Sequence, residues 1–209
     1  MMTDMTMDNF LAVLSSSEPV PGGGGACGYV AAVGMSLGNM VLALTTGKKK
    51  YAEYQEEIEE LIVKATDLTK KLAECMDKDA ESFKPLAAAY GLPKDTEEQI
   101  KEREAIMAKA LVTASEAPLS MMELILEAMK LIDRISVIGS RIAISDAGVG
   151  ITMCEAAMKG ASPNVFINTK LMKDRELAED MNFKADKMLA EAAQIEEETF
   201  GRVMDAVRP

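Results

Sequence analysis

Asp79 is an acidic residue in an apolar row. From Tyr51 onward, hydrophobic side chains recur in steps of three and four: Tyr51, Tyr54, Ile58, Leu61, Ala65, Leu68, Leu72, Cys75 or Met76, Phe83 and Leu86. That spacing puts them on one side of a helix, and Asp79 falls on the same side. Asp77 and Glu81 fall off the stripe and are expected to be solvated. A carboxylate on a buried face is costly unless it is paired, hydrogen-bonded or protonated. Two readings follow. Asp79 is a structural group satisfied by a lysine or by backbone N–H groups, or it is a general acid or base with a raised pKa. Asp146 repeats the pattern, sharing a stripe with Ile138, Ile142, Val149 and Met153 amid small residues, and carries the same two readings.

The chain has no histidine, so proton transfer falls to Asp, Glu, Lys, Tyr, Cys or bound water. Without histidine, and with Cys27, Cys75 and Cys154 far apart and in no CxxC pair, no metal site is expected. The odd cysteine count fits buried thiols in a reducing cytoplasm. A net charge of −11 argues against nucleic acid as a partner but leaves room for a local basic spot. Lys48-Lys49-Lys50 is such a spot, either a solvated helix start or a draw for an acidic ligand.

Pro21 is followed by four glycines, Gly22 to Gly25, and then by about twenty uncharged residues. The run lacks GxxxxGK[ST], and the lysines follow the apolar segment, so it is not a nucleotide P-loop. It is either a flexible linker or a tight turn whose helix N-terminus offers free N–H groups to a carbonyl or anion. Residues 26–46 are long enough to span a membrane. Ser36, Asn39, Thr45 and Thr46 oppose that reading, and the other helices are amphipathic, so a helix buried on all sides is expected instead. Its Gly28, Ala31, Ala32, Gly34 and Gly38 admit close neighbours, and a small bundle hides such a helix best by self-association. The polar, acidic start of the chain does not read as a signal peptide.

The remaining elements are helical. A short amphipathic helix is expected over 3–15, with Met7, Phe10, Leu11 and Leu14 on one side, and the long stripe gives a helix over 50–90. Gly91 to Asp95 form a turn, and Thr96 to Gln99 have the form of a capping box opening a helix to about Thr113. Pro118 suits the first turn of a further helix reaching about Ser136. Another follows over 139–159, ended by Gly160 to Pro163. A short apolar piece, 164–168, precedes a last helix from about Asp174 nearly to the C-terminus. The expectation is one all-α domain over 1–209, a multihelical bundle with a long helix and a buried apolar central helix.

Six stretches occur together in a known order: PVPGGGG (19–25), LTTGKKKY (44–51), DKDAESF (77–83), GLPKDTEE (91–98), SDAGVG (145–150) and NVFIN (164–168). In these the chain resembles the cyclodeaminase/cyclohydrolase family of folate enzymes, which includes the C-terminal domain of formiminotransferase-cyclodeaminase. The resemblance implies an all-α homodimer in the cytoplasm. Its substrate would be a tetrahydrofolate derivative carrying a one-carbon unit, with or without a polyglutamate tail, and with no other cofactor. It also implies that Asp79, the second aspartate of the DxDAExF motif, is catalytic. The motifs carry over Pro21, Gly22, Gly23, Gly24, Gly25, Lys48, Lys49, Lys50, Ser145, Asp146, Asn164 and Asn168 as candidate substrate contacts. Among these, Asp146 is placed at the pterin edge and the lysines at the glutamate tail. The family has a serine in or just after the glycine run, where this chain has Gly25 and Ala26. Of the family's RSDL stretch only Ser145 and Asp146 remain. The expected activity is 5,10-methenyltetrahydrofolate cyclohydrolase, with 5-formiminotetrahydrofolate cyclodeaminase as the rival. A non-catalytic helical dimer is a more distant alternative.

Overall fold

The computed structural model describes residues 1–209. Six α-helices carry the fold: α1 (Met7–Leu14), α2 (Gly22–Ala43), α3 (Gln55–Tyr90), α4 (Glu97–Ile138), α5 (Ile144–Thr169) and α6 (Arg175–Val207). There is no strand. Short 3₁₀ turns cover Met2–Asp4, Lys49–Tyr54 and Arg141–Ala143. The apolar α2 lies between α3 and α5, α4 closes the four-helix arrangement on the far side, and α6 packs outside α4 and α5.

The long stripe on α3 is core, as expected: Ile58, Ala65, Leu68, Leu72 and Leu86 are buried. They meet Met121, Met122, Ile125, Met129 and Ile132 of α4 in one hydrophobic cluster. The small residues of α2 act as anticipated, because a methyl group on Gly34 would come within 2.8 Å of the Gly150 carbonyl oxygen of α5. α2 is long and apolar enough to cross a membrane, yet it is the central helix of this bundle, with Ala31, Met35, Val41 and Leu42 fully buried.

α4 and α6 start where expected. The Thr96 side chain accepts from the Gln99 N–H while the Gln99 side chain accepts from the Thr96 N–H. The Asp174 side chain accepts from the Leu177 N–H. α1 is shorter than expected and buries only Phe10, while Met7 and Leu11 stay exposed.

Two expected helix ends do not exist. α4 runs unbroken through Pro118, and α5 runs unbroken through Pro163. A proline inside a helix withholds the N–H due to the carbonyl four residues earlier. Here a side chain supplies the missing donor. The Asn168 amide donates to the Ala114 carbonyl, 2.9 Å away, and the Ser162 hydroxyl donates to the Lys159 carbonyl, 3.0 Å away. Both helices therefore continue where the sequence signals a break.

α2 begins at Gly22, four residues earlier than its apolar composition implies. The glycine run is therefore neither linker nor free loop but the first turn of a helix. Beyond that point α3 continues to Tyr90, and α4 starts at Glu97, well before the level of Ala114. At this end three helices stand without a fourth, which leaves a cleft.

Candidate active site

The cleft holds a cavity of ≈ 250 Å³ lined by the 19–24 turn, Asp79 and Phe83 of α3, Ala114 of α4, and Asn164, Ile167 and Asn168 of α5. Distant parts of the chain meet here because α2 starts on this spot. Gly22 has a φ of +56°, a left-handed conformation that turns the chain into the helix and that glycine adopts without strain. Gly24 serves a different purpose, because a methyl group there would sit 2.1 Å from Asp79 Oδ2. Only a residue without a side chain lets the carboxylate lie on the first turn of α2.

Asp79 is half-buried and takes part in no ion pair, and burial pushes its pKa above the usual carboxylate range. The structural reading, an aspartate satisfied by a lysine or by backbone donors, finds no partner to support it. The N-terminus of α2 faces the carboxylate and favours its ionised form, opposing the effect of burial. Cys27 lies nearby, but burial, reinforced by the charge of Asp79, pushes its thiol up to about 11, so it supplies no thiolate nucleophile near neutral pH.

The two asparagines have fixed orientations. Asn168 Nδ2 donates to the carbonyls of Ala114 and Asn164, each at 2.9 Å. Asn164 Nδ2 donates to the Gly160 carbonyl at 3.1 Å and the Ala161 carbonyl at 3.5 Å. With their N–H groups engaged, both side chains keep a carbonyl oxygen as the free acceptor. The cavity thus combines a carboxylate, two amide oxygens and the ring of Phe83, and no basic side chain lines it. It is built for a flat ligand rich in N–H donors or carrying positive charge.

Of the expected contacts, Pro21, Gly22, Gly23, Gly24, Asn164 and Asn168 meet Asp79 at this cavity. Gly25 lies just beneath, packed on the ring of Pro21. Lys48, Lys49, Lys50, Ser145 and Asp146 are not brought there. Ser145 and Asp146 open α5 beside the C-terminal half of α2, where Gly150 packs on Gly34, and the lysines follow the other end of α2, a helix about 33 Å long at 1.5 Å per residue. There Lys48 Nζ lies 3.4 Å from Ser140 Oγ, and the Arg141 N–H donates to the Tyr51 hydroxyl. The buried stripe read for Asp146 does not form, since Ile142 is 91% exposed and Val149 is 51% exposed. Asp146 instead lies in the first turn of α5, a favourable place for an acidic side chain. Asp77 is not solvated either. Its Oδ1 accepts the Met2 N–H at 2.9 Å, and its Oδ2 is buried without a partner. The sequence reading missed Phe83 and Ile167 as lining residues, although the DKDAESF stretch already places Phe83 one turn after Asp79.

The protein is thus an all-α bundle with one carboxylate, free of any ion pair, set over a glycine turn, in a chain without histidine. The chain belongs to the formiminotransferase-cyclodeaminase family, whose model matches residues 6–187. It is 37% identical over 202 residues to methenyltetrahydrofolate cyclohydrolase of Methylorubrum extorquens, covering 97% of each chain. It is 28% identical over 189 residues to mouse formimidoyltransferase-cyclodeaminase, covering 90% of this chain and 35% of that protein. Among solved structures, formiminotetrahydrofolate cyclodeaminase from Thermotoga maritima superposes with a TM-score of 0.81 over 99% of this chain and 98% of that one, at 23% identity.

Proposed function

We propose that the protein is a 5,10-methenyltetrahydrofolate cyclohydrolase of folate one-carbon metabolism. The observation that carries this reading is the unpaired Asp79 carboxylate, set among acceptor oxygens with no cation nearby. The substrate is itself the cation, an amidinium shared between N5 and N10, and such a site favours its entry and that of its donor-rich pterin. The free acceptors of Asn164 and Asn168 suit the pterin N–H edge, a role that the sequence reading gave to Asp146. Phe83 offers a face for the ring.

Asp79 then acts as base and acid in turn. Water attacks the bridging carbon, its oxygen forming the new C–O bond while Asp79 takes one proton. The C–N5 bond breaks, its electron pair goes to N5, and Asp79 returns its proton there. The remaining hydroxyl proton leaves as the C=O bond forms, giving 10-formyltetrahydrofolate and one net proton. A carboxyl pKa raised by burial suits a group that must both accept and return a proton.

The family's second chemistry, cyclodeamination of 5-formiminotetrahydrofolate, passes through an adduct at the same carbon, and the 28% identity to mouse formimidoyltransferase-cyclodeaminase keeps it as the alternative. There N10 attacks the formimino carbon and Asp79 protonates the departing ammonia. The test is a side-by-side assay of both substrates. Methenyltetrahydrofolate should lose its near-ultraviolet absorbance faster with the protein than without it, and formation of that absorbance from the formimino substrate would reverse the assignment.

The same reading includes a homodimer in the cytoplasm with no cofactor beyond the folate. The face of α2 left open by its neighbours, with Met40 41% exposed and Leu44 just beyond the helix 46% exposed, supports self-association. Three buried free thiols suit a reducing compartment.

A further inference from the structure

α4 and α5 run antiparallel, with Asn168 against Ala114 fixing their register. Past this pair, away from α2, the groove continues between Leu111 and Met107 on α4 and Leu171, just beyond the end of α5. The groove between the two helices there opens into a second hollow of ≈ 180 Å³, whose far rim carries Arg103, Glu104 and Lys173.

Arg103 is exceptional among the arginines held against the fold. Arg134 and Arg202 pair with carboxylates, and Arg175 donates to backbone carbonyls. Arg103 is half-buried and has no carboxylate partner, and its Nε is fully buried with nothing to accept its hydrogen. No hydrogen bond or ion pair engages its terminal nitrogens either, and an anion at the rim of the hollow would pair with them. Lys173 stands beside it, paired with Glu104 at 2.6 Å but 70% exposed at its side chain and free to take a second acceptor. Carbonyls at and just after the end of α5, which would repel an anion, are already occupied: Arg175 donates to Thr169 O at 2.9 Å and to Met172 O at 3.3 Å.

We propose that this hollow binds the p-aminobenzoyl-glutamate tail of the folate, with its carboxylates on Arg103 and Lys173. The aromatic ring lies against Met107, Leu111 and Leu171, where a methionine sulfur suits it well. The inference rests on the folate reading above. Arg103 is eleven residues from Ala114, about 16 Å along α4, so the basic rim is clear of the pterin and in line with a tail that lengthens by one γ-linked glutamate at a time. Lys48 to Lys50, the sequence's candidate for the tail, lie past the other end of α2, a helix about 33 Å long.

The test compares wild type, Arg103→Gln, Lys173→Ser and the triple change of Lys48, Lys49 and Lys50 to Ser, each with mono- and pentaglutamyl 5,10-methenyltetrahydrofolate. Arg103→Gln should raise KM for the pentaglutamate about 10-fold and for the monoglutamate by less than about 3-fold, the scale of one charge-assisted hydrogen bond. Lys173→Ser should show the same selectivity to a smaller degree and covers the case in which the arginine variant fails to fold. Calorimetry with p-aminobenzoyl-pentaglutamate, which has no pterin and undergoes no reaction, should show weaker binding to both variants than to wild type. A wild type inactive on methenyltetrahydrofolate would sink the functional reading, while this calorimetry would still test the hollow. Equal KM changes for both tail lengths, or selectivity lost only in the triple lysine variant, would overturn the proposal.

Discussion

The carboxylate of Asp79 lies on the α-carbon of Gly24, so that a methyl group on that carbon would stand 2.1 Å from Oδ2 and 2.6 Å from Oδ1. Gly24→Ala therefore has one cheap way to relieve the clash, which is to push the carboxylate aside. Turnover should fall by about 100-fold or more, because a misplaced acid–base group loses most of its contribution. Thermal stability should change little. A Gly24→Ala enzyme with near wild-type kcat would mean that the position of Asp79 is unimportant.

Asp79→Asn keeps the shape and removes both the charge and the titrating proton. Turnover per folded molecule should drop by about 100-fold or more. Asp77→Asn should retain far more activity while weakening the tie to Met2. Greater sensitivity at Asp77 than at Asp79 would refute the assignment.

The same variant has a pH signature in stability. Because burial raises the Asp79 pKa in the folded state, the folded protein holds more proton than the unfolded chain between the ordinary carboxyl pKa and the raised one. Its contribution is thus most favourable at pH below the unfolded value and is lost as pH rises through the folded value. Asp79→Asn should melt higher than wild type at neutral pH, and the difference should shrink toward pH 3. A melting temperature below wild type at neutral pH would show that the charge is compensated.

Asn168 and Pro118 form a testable pair. Asn168→Ala leaves the Ala114 carbonyl unmet, at a cost of about 1–3 kcal/mol. Pro118→Ala returns a backbone N–H to that carbonyl, so the cost of Asn168→Ala should be smaller in the Pro118→Ala background. Additive effects in chemical denaturation would show that the two residues do not share one carbonyl.

Sedimentation at micromolar concentration checks self-association. At least a dimer is expected, and a strictly monomeric, active species would leave the exposed face of α2 without its assigned role.

Much of this was legible in the chain. Periodicity alone isolates Asp79, because a carboxylate on a core stripe is a local contradiction. The capping box at Thr96 is a local hydrogen-bonding pattern and reads equally well. The continuity of α4 and α5 was not legible, since the rescue of Pro118 comes from Asn168, 50 residues away in sequence. Asp146 misled for the opposite reason. Its stripe is real as a pattern, but Ile142 and Val149 point out of this bundle. The motifs also gave no hint that the lysines and Asp79 flank opposite ends of one helix, because sequence order carries no axial distance.

The cleft exists because α2 starts at Gly22 while its neighbours run on. Its capacity is therefore governed by the register of one helix start and not by the side chains of the core. An insertion in the 15–21 connection that let α2 wind one turn further back would fill the site, and a deletion that unwound its first turn would enlarge it. In either case the packing among Met35, Ile125 and Ile132 would be undisturbed. Such a fold can change the size of what it accepts through the length of a surface loop, a route to new substrates that spares the folding core.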